Sequence, residues 1–308
     1  MAVPFSRIVL AFDESLASRV ALEYACALAR RGAMLTVAYA VNEAVTVASA
    51  TTANGFAALD PAPLIKAVDE RGAAVLKAGL AACATLGVAA EDVFLRDAPT
   101  AGIVEFARER NIDLVVVGTH GREGVRRALL GSVAEGILHA STIPLLVVTA
   151  HAVAPRSDSV FERALVAIDD SDPAREAMRT AAQLSTGLGT HLTVCNVIDS
   201  RDLQSKAATY GYDPNPFESN MHAAALKLLR EAAEPDGTSL TADDLVVVEG
   251  EPAAAIEHAA NQRNCDLIVL GSHGRRGIAR LFLGSVAESV VRKSSRPVLV
   301  VPPRASHR

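Results

Sequence analysis

Two stretches of the sequence share a spacing of glycines and a serine that is suited to binding an anion. The pattern is Gly-x2-Gly-x9-Gly-Ser, with the members Gly118, Gly121, Gly131 and Ser132 in the first copy and Gly271, Gly274, Gly284 and Ser285 in the second. Glycines let backbone N–H groups approach a phosphate, and a helix that begins at the serine adds free N–H donors and the positive end of its dipole. Each copy follows an apolar run, so the spacing predicts a phosphate-binding loop in both.

The serines of the pattern also fit a structural role that requires no ligand. Ser132 is followed by Glu135, and Ser285 by Glu288, which is the spacing of a capping box at the start of a helix. The two roles are compatible, because a serine can serve either the helix or the phosphate. We therefore expect a capped helix start beside each phosphate site.

An aspartate ends the first apolar run of each half. Asp13 follows IVLAF, and Asp169 follows ALVAI. At the carboxyl end of a parallel strand, a carboxylate can accept hydrogen bonds from ribose hydroxyls or hold a metal ion with its waters. The alternative is that it caps the next helix, a role that Ser15 and Ser171 could take instead. We predict that both aspartates face a ligand.

Little in these loops indicates catalysis. His120 and His273 have no evident partner, so we interpret them as packing or hydrogen-bonding residues rather than general bases. The loop arginines are interpreted as a solvated basic surface that could assist phosphates; they are Arg122, Arg126, Arg127, Arg275, Arg276 and Arg280. The chain has no Gly-x4-Gly-Lys-Ser/Thr, Gly-x-Ser-x-Gly or His-Glu-x-x-His sequence, which argues against P-loop, serine-hydrolase and zinc-protease chemistry. We predict no catalytic residue and no dedicated metal site.

Composition places the chain among globular proteins. Its 308 residues are 50% hydrophobic and 21% charged, with a net charge of −5 and 4% aromatic residues. This balance supports buried cores and argues against nucleic-acid partners. No apolar run approaches the roughly 18–20 residues that cross a bilayer. The four cysteines lie too far apart for a zinc or disulfide framework. We expect a cytoplasmic protein with buried thiols and no membrane partner.

The chain consists of two similar halves. Residues 116–148 align without a gap to residues 269–301. Halves of about 150 residues have the size of ordinary domains. We predict one domain over residues 1–150 and a second over residues 160–308, joined by a linker over residues 151–159.

Short apolar runs alternate with helical patterns in each half. Runs such as DLVVVG, DLIVLG and PVLVV are typical of strands buried on both faces of a parallel sheet. Five runs with four helices between them indicate right-handed crossovers and an open α/β sandwich in each half. Residues 42–63 and 199–216 are too long for ordinary connections, so we predict that they form flaps over a site.

The glycine pattern, the upstream aspartate and the repeat together resemble the universal stress protein family, in a tandem form with two such domains. The resemblance implies an α/β fold with a five-stranded parallel sheet of order 3-2-1-4-5 in each domain and helices on both faces. It also implies pairing of domains through their fifth strands, which would make the chain a pseudo-dimer that can form homo-oligomers. In the ATP-binding branch of the family, an equivalent loop binds ribose and phosphates.

The resemblance therefore implies ATP as the ligand, with or without Mg²⁺. The positions that it carries over are Asp13, Gly118, Gly121, Gly131 and Ser132 in the first half, and Asp169, Gly271, Gly274, Gly284 and Ser285 in the second. It also places Ala40 and Val197 beside the adenine. The two halves differ at one position of the family pattern. Asp97 occupies this position in the first half, where the family has glycine, and Gly250 occupies it in the second half. A carboxylate near polyphosphate is repelled, so we expect the second site to bind nucleotide more tightly.

The function implied by the resemblance is that of an ATP-binding stress-response regulator or sensor, with slow ATP hydrolysis at most. Two alternatives stay open on the sequence alone. The chain could be a nucleotide-using α/β transferase, although it lacks the Ser-Gly-Gly and His-x-Gly-His sequences of synthetase-like members of that superfamily. It could also be an interaction module whose glycine loops bind nothing.

Overall fold

A computed structural model shows how the chain arranges these elements. It describes residues 4–46, 48, 61–119, 130–156, 159–199, 201, 215–233, 240–274 and 283–304. The chain divides into two compact units, one over Phe5–Pro155 and the other consisting mainly of Arg156–Arg308. Each unit is a mixed α/β fold with a parallel sheet, which confirms the predicted fold class.

The N-terminal unit contains five parallel strands in the order β3-β2-β1-β4-β5. The strands are β1 (Arg7–Ala11), β2 (Met34–Ala40), β3 (Glu91–Leu95), β4 (Leu114–Gly118) and β5 (Leu145–Val148). The helices that the structure describes between them are α1 (Leu16–Ala29), α2 (Ala62–Thr85), α3 (Pro99–Glu109) and α4 (Ser132–Ala140). The strand order runs outward from β1 through β2 to β3 and then resumes on the other side of β1 with β4 and β5. Ligands of such a sheet bind where the order reverses, at the carboxyl ends of β1 and β4.

The C-terminal unit repeats this order as β8-β7-β6-β9-β10, again with all strands parallel. Its strands are β6 (Arg163–Ala167), β7 (His191–Ile198), β8 (Leu245–Glu249), β9 (Leu267–Gly271) and β10 (Val298–Val301). Its described helices are α5 (Asp172–Leu188), α6 (Asn215–Ala233), α7 (Pro252–Gln262) and α8 (Ser285–Lys293), with a short 3-10 helix at Ala242–Asp244.

The core of each unit lies along its central strands. Every residue of β5 and β10 is buried, as are the first four residues of β4 and β9. Continuous apolar runs are stable there because helices cover both faces of a parallel sheet. The strands β3 and β8 at the ends of the two strand orders are much less buried, because each has only one neighbouring strand among the described residues.

One aspartate in each unit joins the starts of the first and fourth strands. Asp113 accepts a hydrogen bond from the N–H of Arg7 at 2.9 Å, and Asp266 accepts one from the N–H of Arg163 at 3.0 Å. These partners are 106 and 103 positions apart in the chain. The bonds hold two neighbouring strands in register, so their carboxyl ends reach the same edge of the sheet.

All four cysteines are buried and unbridged, as the sequence predicts for thiols. Burial raises the pKa of the Cys195 thiol to about 12. In the N-terminal unit, a hydrogen bond with the Cys83 thiol raises the pKa of Cys26, and burial adds to the effect. The thiolate is the reactive form of cysteine. Because their pKa values are raised, Cys26 and Cys195 are protonated and unreactive at neutral pH.

Two kinds of feature are missing from the part of the chain that the structure describes. No helix there combines the length and the apolar character that crossing a membrane requires. Among the same residues, no group of three or more His, Cys, Asp or Glu side chains is placed to hold a metal ion.

Helix α7 begins with a side-chain cap that its counterpart α3 lacks. The Glu251 carboxylate accepts hydrogen bonds from the N–H groups of Ala253 at 3.2 Å and Ala254 at 2.8 Å. The bond from Ala254 is the main cause that lowers the pKa of Glu251. At the start of α3, Ala98 occupies the capping position and makes no such bond.

Glu251→Ala should therefore lower the stability of the C-terminal unit by about 1 kcal/mol at pH 7, the usual cost of a lost cap. A lowered pKa means that the stabilisation is complete above the unfolded-state pKa and is lost as the pH falls through the folded-state pKa. Urea unfolding of both proteins should show a difference at pH 7 that shrinks on acidification. Glu249→Ala removes an exposed carboxylate from the end of β8 and serves as the control. Equal losses in the two variants would contradict the capping role.

Candidate functional site

Asp13 lies in the turn that joins β1 to α1. Its Oδ1 atom accepts a hydrogen bond from the N–H of Ser15 at 3.0 Å, and its own N–H donates to Ser18 Oγ at 3.4 Å. Ser15, not Asp13, caps α1, because Ser15 Oγ accepts from the N–H of Ser18 at 3.2 Å. Of the two roles that the sequence leaves open, helix capping thus falls to the serine.

Asp169 occupies the same place between β6 and α5. Its Oδ1 accepts from the N–H of Ser171 at 3.1 Å and from the Ser171 hydroxyl. Ser171 caps α5 by accepting from the N–H of Ala174 at 3.3 Å. The two units therefore build this turn from the same residue types, and each holds its carboxylate at the carboxyl end of the first strand.

The turn after Asp13 contains a residue that the sequence reasoning missed. Glu14 has a φ of 68°, in the left-handed region that side chains other than glycine rarely adopt. Its carboxylate forms ion pairs with Arg71 at 2.5 Å and with Arg19 at 3.8 Å. Arg71 lies on α2, far away in sequence, so no local pattern indicates this pairing.

Gly118 and Gly271 end the fourth strands, and packing accounts for both glycines. A Cβ atom on Gly118 would lie 2.7 Å from the backbone of Ala17 and Ser18 in α1. A Cβ atom on Gly271 would lie 2.7 Å from the backbone carbon of Pro173 in α5. These glycines let the strand end approach the first turn of the helix that follows the aspartate, which brings the two halves of each predicted site together.

Gly131 and Gly284 are the residues that cap α4 and α8. Both have extended backbone angles, with φ of −64° and −65°. Gly284 donates its N–H to the Ser272 carbonyl at 2.7 Å, and Gly131 donates likewise to the Thr119 carbonyl. These bonds tie the helix starts to the ends of the fourth strands.

The capping-box interpretation of Ser132 and Ser285 is wrong. Each serine is the first helical residue rather than the cap, and neither helix start has a side-chain cap bond. The reason is that the carbonyl bonds described above hold the preceding glycine, rather than the serine, in the extended conformation that a cap requires. The helix starts thus keep N–H donors that no capping side chain takes, which is the property that an anion site uses.

In the N-terminal unit, the predicted residues line one cleft. Its walls include the predicted positions Asp13, Ala40, Gly118, Gly131 and Ser132. The remaining predicted position, Gly121, lies outside the described residues.

The same cleft has an apolar wall that sequence reasoning did not assign to the site. Pro99 and Ile103 of α3 contribute it. Ile103 is 2% exposed, and its helical spacing in the sequence indicates only a core position.

In the C-terminal unit, the glycine pattern lies close to the aspartate. A Cβ atom on Gly274 would lie 2.8 Å from Asp169 Oδ2, and one on Gly284 would lie 3.2 Å from the Cα of His273. Ser285 is exposed at the start of α8, and Val197 lies half-buried near the carboxyl end of β7. The structure thus brings Asp169, Gly274 and Gly284 to the same edge of the sheet.

The structure describes only part of the loop histidines, loop arginines and flaps that the sequence analysis singles out. The His273 ring shares a hydrogen bond with Ser272 Oγ, at 2.7 Å from Nδ1. The second histidine and the six loop arginines lie outside the described residues; they are His120, Arg122, Arg126, Arg127, Arg275, Arg276 and Arg280. The predicted flaps over residues 42–63 and 199–216 also lie mostly outside them.

The two units differ directly after their third strands, at Asp97 and Gly250. Gly250 has a φ of 133°, which favours glycine, and donates its N–H to the Ile198 carbonyl at 3.0 Å. Asp97 is exposed, and its Oδ1 accepts from the N–H of Ala98 at 2.6 Å. Asp97 is not among the residues that line the N-terminal cleft. The expected difference in nucleotide affinity stays a prediction.

The arrangement has a definite chemical character. A carboxylate such as Asp13 or Asp169 accepts hydrogen bonds from hydroxyl groups. A helix start without a side-chain cap bond donates N–H groups and carries a partial positive charge. The two features lie at one edge of the sheet, where ligands of open α/β folds bind. A ligand with hydroxyl groups at one end and an anionic group at the other would satisfy both.

Comparisons with known proteins agree with this architecture. The sequence profile of the universal stress protein family matches residues 4–149 and 161–302. The universal stress protein YxiE of Bacillus subtilis is 31% identical over 147 residues, which is 46% of this chain and 99% of that protein.

Solved structures share this fold. The crystal structure of a universal stress protein from Archaeoglobus fulgidus has a TM-score of 0.69 and 24% identity, and the match covers 99% of this chain and 100% of the other. That likeness extends the shared fold over the whole tandem. A universal stress protein solved in complex with cAMP covers 47% of this chain and 98% of its own, with 25% identity and a TM-score of 0.34.

Proposed function

The chain belongs to the universal stress protein family, and from this premise we propose that each of its two units binds ATP. The protein would then act as a nucleotide-dependent regulator or sensor in a stress response. The observation that supports the proposal is the juxtaposition, in each unit, of an aspartate with a helix start that has no side-chain cap. Those two features match the ribose and the phosphates of one nucleotide.

In this proposal, each part of the nucleotide meets a chemically matched group. Ribose hydroxyls donate to Asp13 or Asp169, and phosphate oxygens accept from N–H groups at the starts of α4 and α8. The adenine lies beside Ala40 or Val197 at the end of the second strand of each unit. Phosphate placement also involves Gly118, Gly121, Ser132, Gly271, Gly274 and Ser285.

The residues at the site also fit a magnesium ion that arrives with ATP. Mg²⁺ is commonly held by one or two carboxylates, by phosphate oxygens and by waters rather than by a cage of protein ligands. Where such an ion is bound, Asp13 or Asp169 would supply the carboxylate in place of its hydrogen bond from the ribose. The ion would offset the charge of the polyphosphate beside it.

Hydrolysis in this proposal is slow. Phosphoryl transfer is accelerated by groups that orient the attacking water and stabilise charge on the transferred group. The sequence predicts no catalytic base, so retention of ATP rather than turnover is the expected behaviour. We propose a regulatory protein rather than a transferase, and a cytoplasmic location remains a prediction.

Calorimetric titration of the full-length protein with ATP should show two bound nucleotides per chain. Mass spectrometry of the freshly purified protein should also detect adenine nucleotide carried through purification. Protection of each unit from hydrogen exchange, measured against ATP concentration, would rank the two sites, and we expect the C-terminal site to be the tighter one. Titration with cAMP would test whether the polyphosphate is required.

A protein that binds no adenine nucleotide would contradict the proposal and favour the interaction-module alternative. Turnover of ATP that is stimulated by an added acceptor would favour the transferase alternative instead. The two outcomes require different measurements, so each alternative can be identified separately.

A further inference from the structure

The hydroxyl of Ser171 lies among three polar groups of the C-terminal unit. It accepts from the N–H of Ala174 at 3.3 Å, and it is within hydrogen-bond distance of Asp169 Oδ1. It also lies 3.2 Å from the carbonyl oxygen of His273, in the glycine pattern. Ser171 therefore joins the turn that carries the aspartate to a loop 102 positions away in the chain.

A hydroxyl has one proton to donate, and two acceptors compete for this one. If the Ser171 proton is given to Asp169 Oδ1, the His273 carbonyl receives none from it. If another donor or a cation takes the place of the Ser171 hydroxyl at Asp169 Oδ1, the Ser171 proton can turn to the His273 carbonyl. The bond from Ala174 leaves the choice open, because it uses a lone pair rather than the proton.

Gly274 of the second glycine pattern also lies close to the same carboxylate. The space in which a Cβ atom of Gly274 would lie is only 2.8 Å from Asp169 Oδ2. Asp169 is thus linked to Gly274 by proximity and to His273 through the Ser171 hydroxyl. Both residues directly precede the part of the pattern that leads to the start of α8.

We propose that Ser171 is a positioning residue that couples occupancy of Asp169 to residues 272–274 of the second glycine pattern. It rests on the proposed function, because the group that occupies Asp169 is taken to be the ribose of an adenine nucleotide. A ribose hydroxyl that donates to Asp169 Oδ1 would release the Ser171 proton to the His273 carbonyl and hold residues 272–274 in place. Binding of the nucleoside part of the ligand would thereby order residues 272–274, which precede the phosphate-binding helix start.

Adenosine tests this coupling because it has the ribose but no phosphate. In the full-length protein, saturating adenosine should slow hydrogen exchange of the segment over residues 272–274 by about fivefold, the effect of one ordinary hydrogen bond. In Ser171→Ala, adenosine should still protect the end of β7 but leave exchange of that segment unchanged. Ser171→Thr, which keeps the hydroxyl, should restore the wild-type response.

Ser15→Ala provides the matched control. It removes the equivalent cap from α1 in the other unit, so it reports the cost of losing a cap without touching Ser171. The response of residues 272–274 to adenosine should be unchanged in that variant.

The outcomes separate the coupling from the function on which it rests. A wild-type response to adenosine that persists in Ser171→Ala would overturn the coupling alone. Protection by ATP but none by adenosine over residues 272–274 would overturn it as well. A wild-type protein that responds to neither ligand anywhere would overturn the proposed function and the coupling with it.

Discussion

A chain that carries Gly131→Asp and Gly284→Asp should fold normally and no longer bind ATP. Both glycines cap helices whose first N–H groups are available to an anion. An aspartate there would occupy those donors and place a negative charge beside the phosphates. At an effective dielectric constant of about 20, two unit charges about 4 Å apart repel by roughly 4 kcal/mol. Screening reduces this value, but about 1.4 kcal/mol already weakens binding tenfold.

The helices themselves should tolerate the substitution. Aspartate is a better capping residue than glycine, and a negative charge suits the start of a helix. At Gly284, a Cβ atom would lie 3.3 Å from the Ser272 carbonyl oxygen, so a small adjustment of the loop is needed. Circular dichroism and the melting temperature of the ligand-free protein should therefore change little.

Asparagine at the same two positions separates charge from shape. It caps helices about as well as aspartate but is neutral, so the asparagine variant should bind ATP more tightly than the aspartate variant. Calorimetry on wild type and on both variants supplies the comparison. Wild-type affinity in the folded aspartate variant would show that these helix starts do not meet phosphate.

Gly118→Ala should destabilise the N-terminal unit by about 2–3 kcal/mol, within the usual cost of overpacking a core. The added methyl group would lie 2.7 Å from backbone atoms of Ala17 and Ser18. Backbone in the first turn of a helix cannot rotate aside as a side chain can, so β4 and α1 must separate. Gly271→Ala should have a similar effect on the C-terminal unit, where the backbone of Pro173 is equally close.

Gly102→Ala is the matched control in the same unit. Gly102 is also buried, but its Cβ atom would meet its nearest neighbours at 3.5 Å, which is ordinary contact. Since alanine favours a helix interior over glycine by about 0.5–1 kcal/mol, this variant should be as stable as wild type or slightly more stable. Urea unfolding of the three proteins provides the measurement. If Gly118→Ala were as stable as Gly102→Ala, close packing could not explain the glycine.

The site could be anticipated only in outline. The order of apolar runs places Asp13 and Gly131 at the carboxyl ends of strands, because parallel strands align their ends at one edge of the sheet. Their residue types then indicate acceptors beside N–H donors. The apolar wall of Pro99 and Ile103 was not anticipated, because a residue that lines a cleft and one that fills a core show the same helical spacing.

The sequence by itself determined the class of fold, the repeat and the family, because these depend on local periodicity and on residue types at fixed spacing. Five parallel strands in each unit follow from runs such as DLVVVG and from the helices that separate them. The burial of the four cysteines also followed from composition and from their wide separation.

Only the tertiary structure decided what individual side chains do within that frame. It assigned the helix cap to Gly131 rather than Ser132, because the carbonyl of Thr119 orients the glycine. It paired Glu14 with Arg71, and it set the hydroxyl of Ser171 against the loop of the second glycine pattern. Each of these contacts joins residues distant along the chain. Their distances depend on how helices and strand ends pack, which no local pattern of residues encodes.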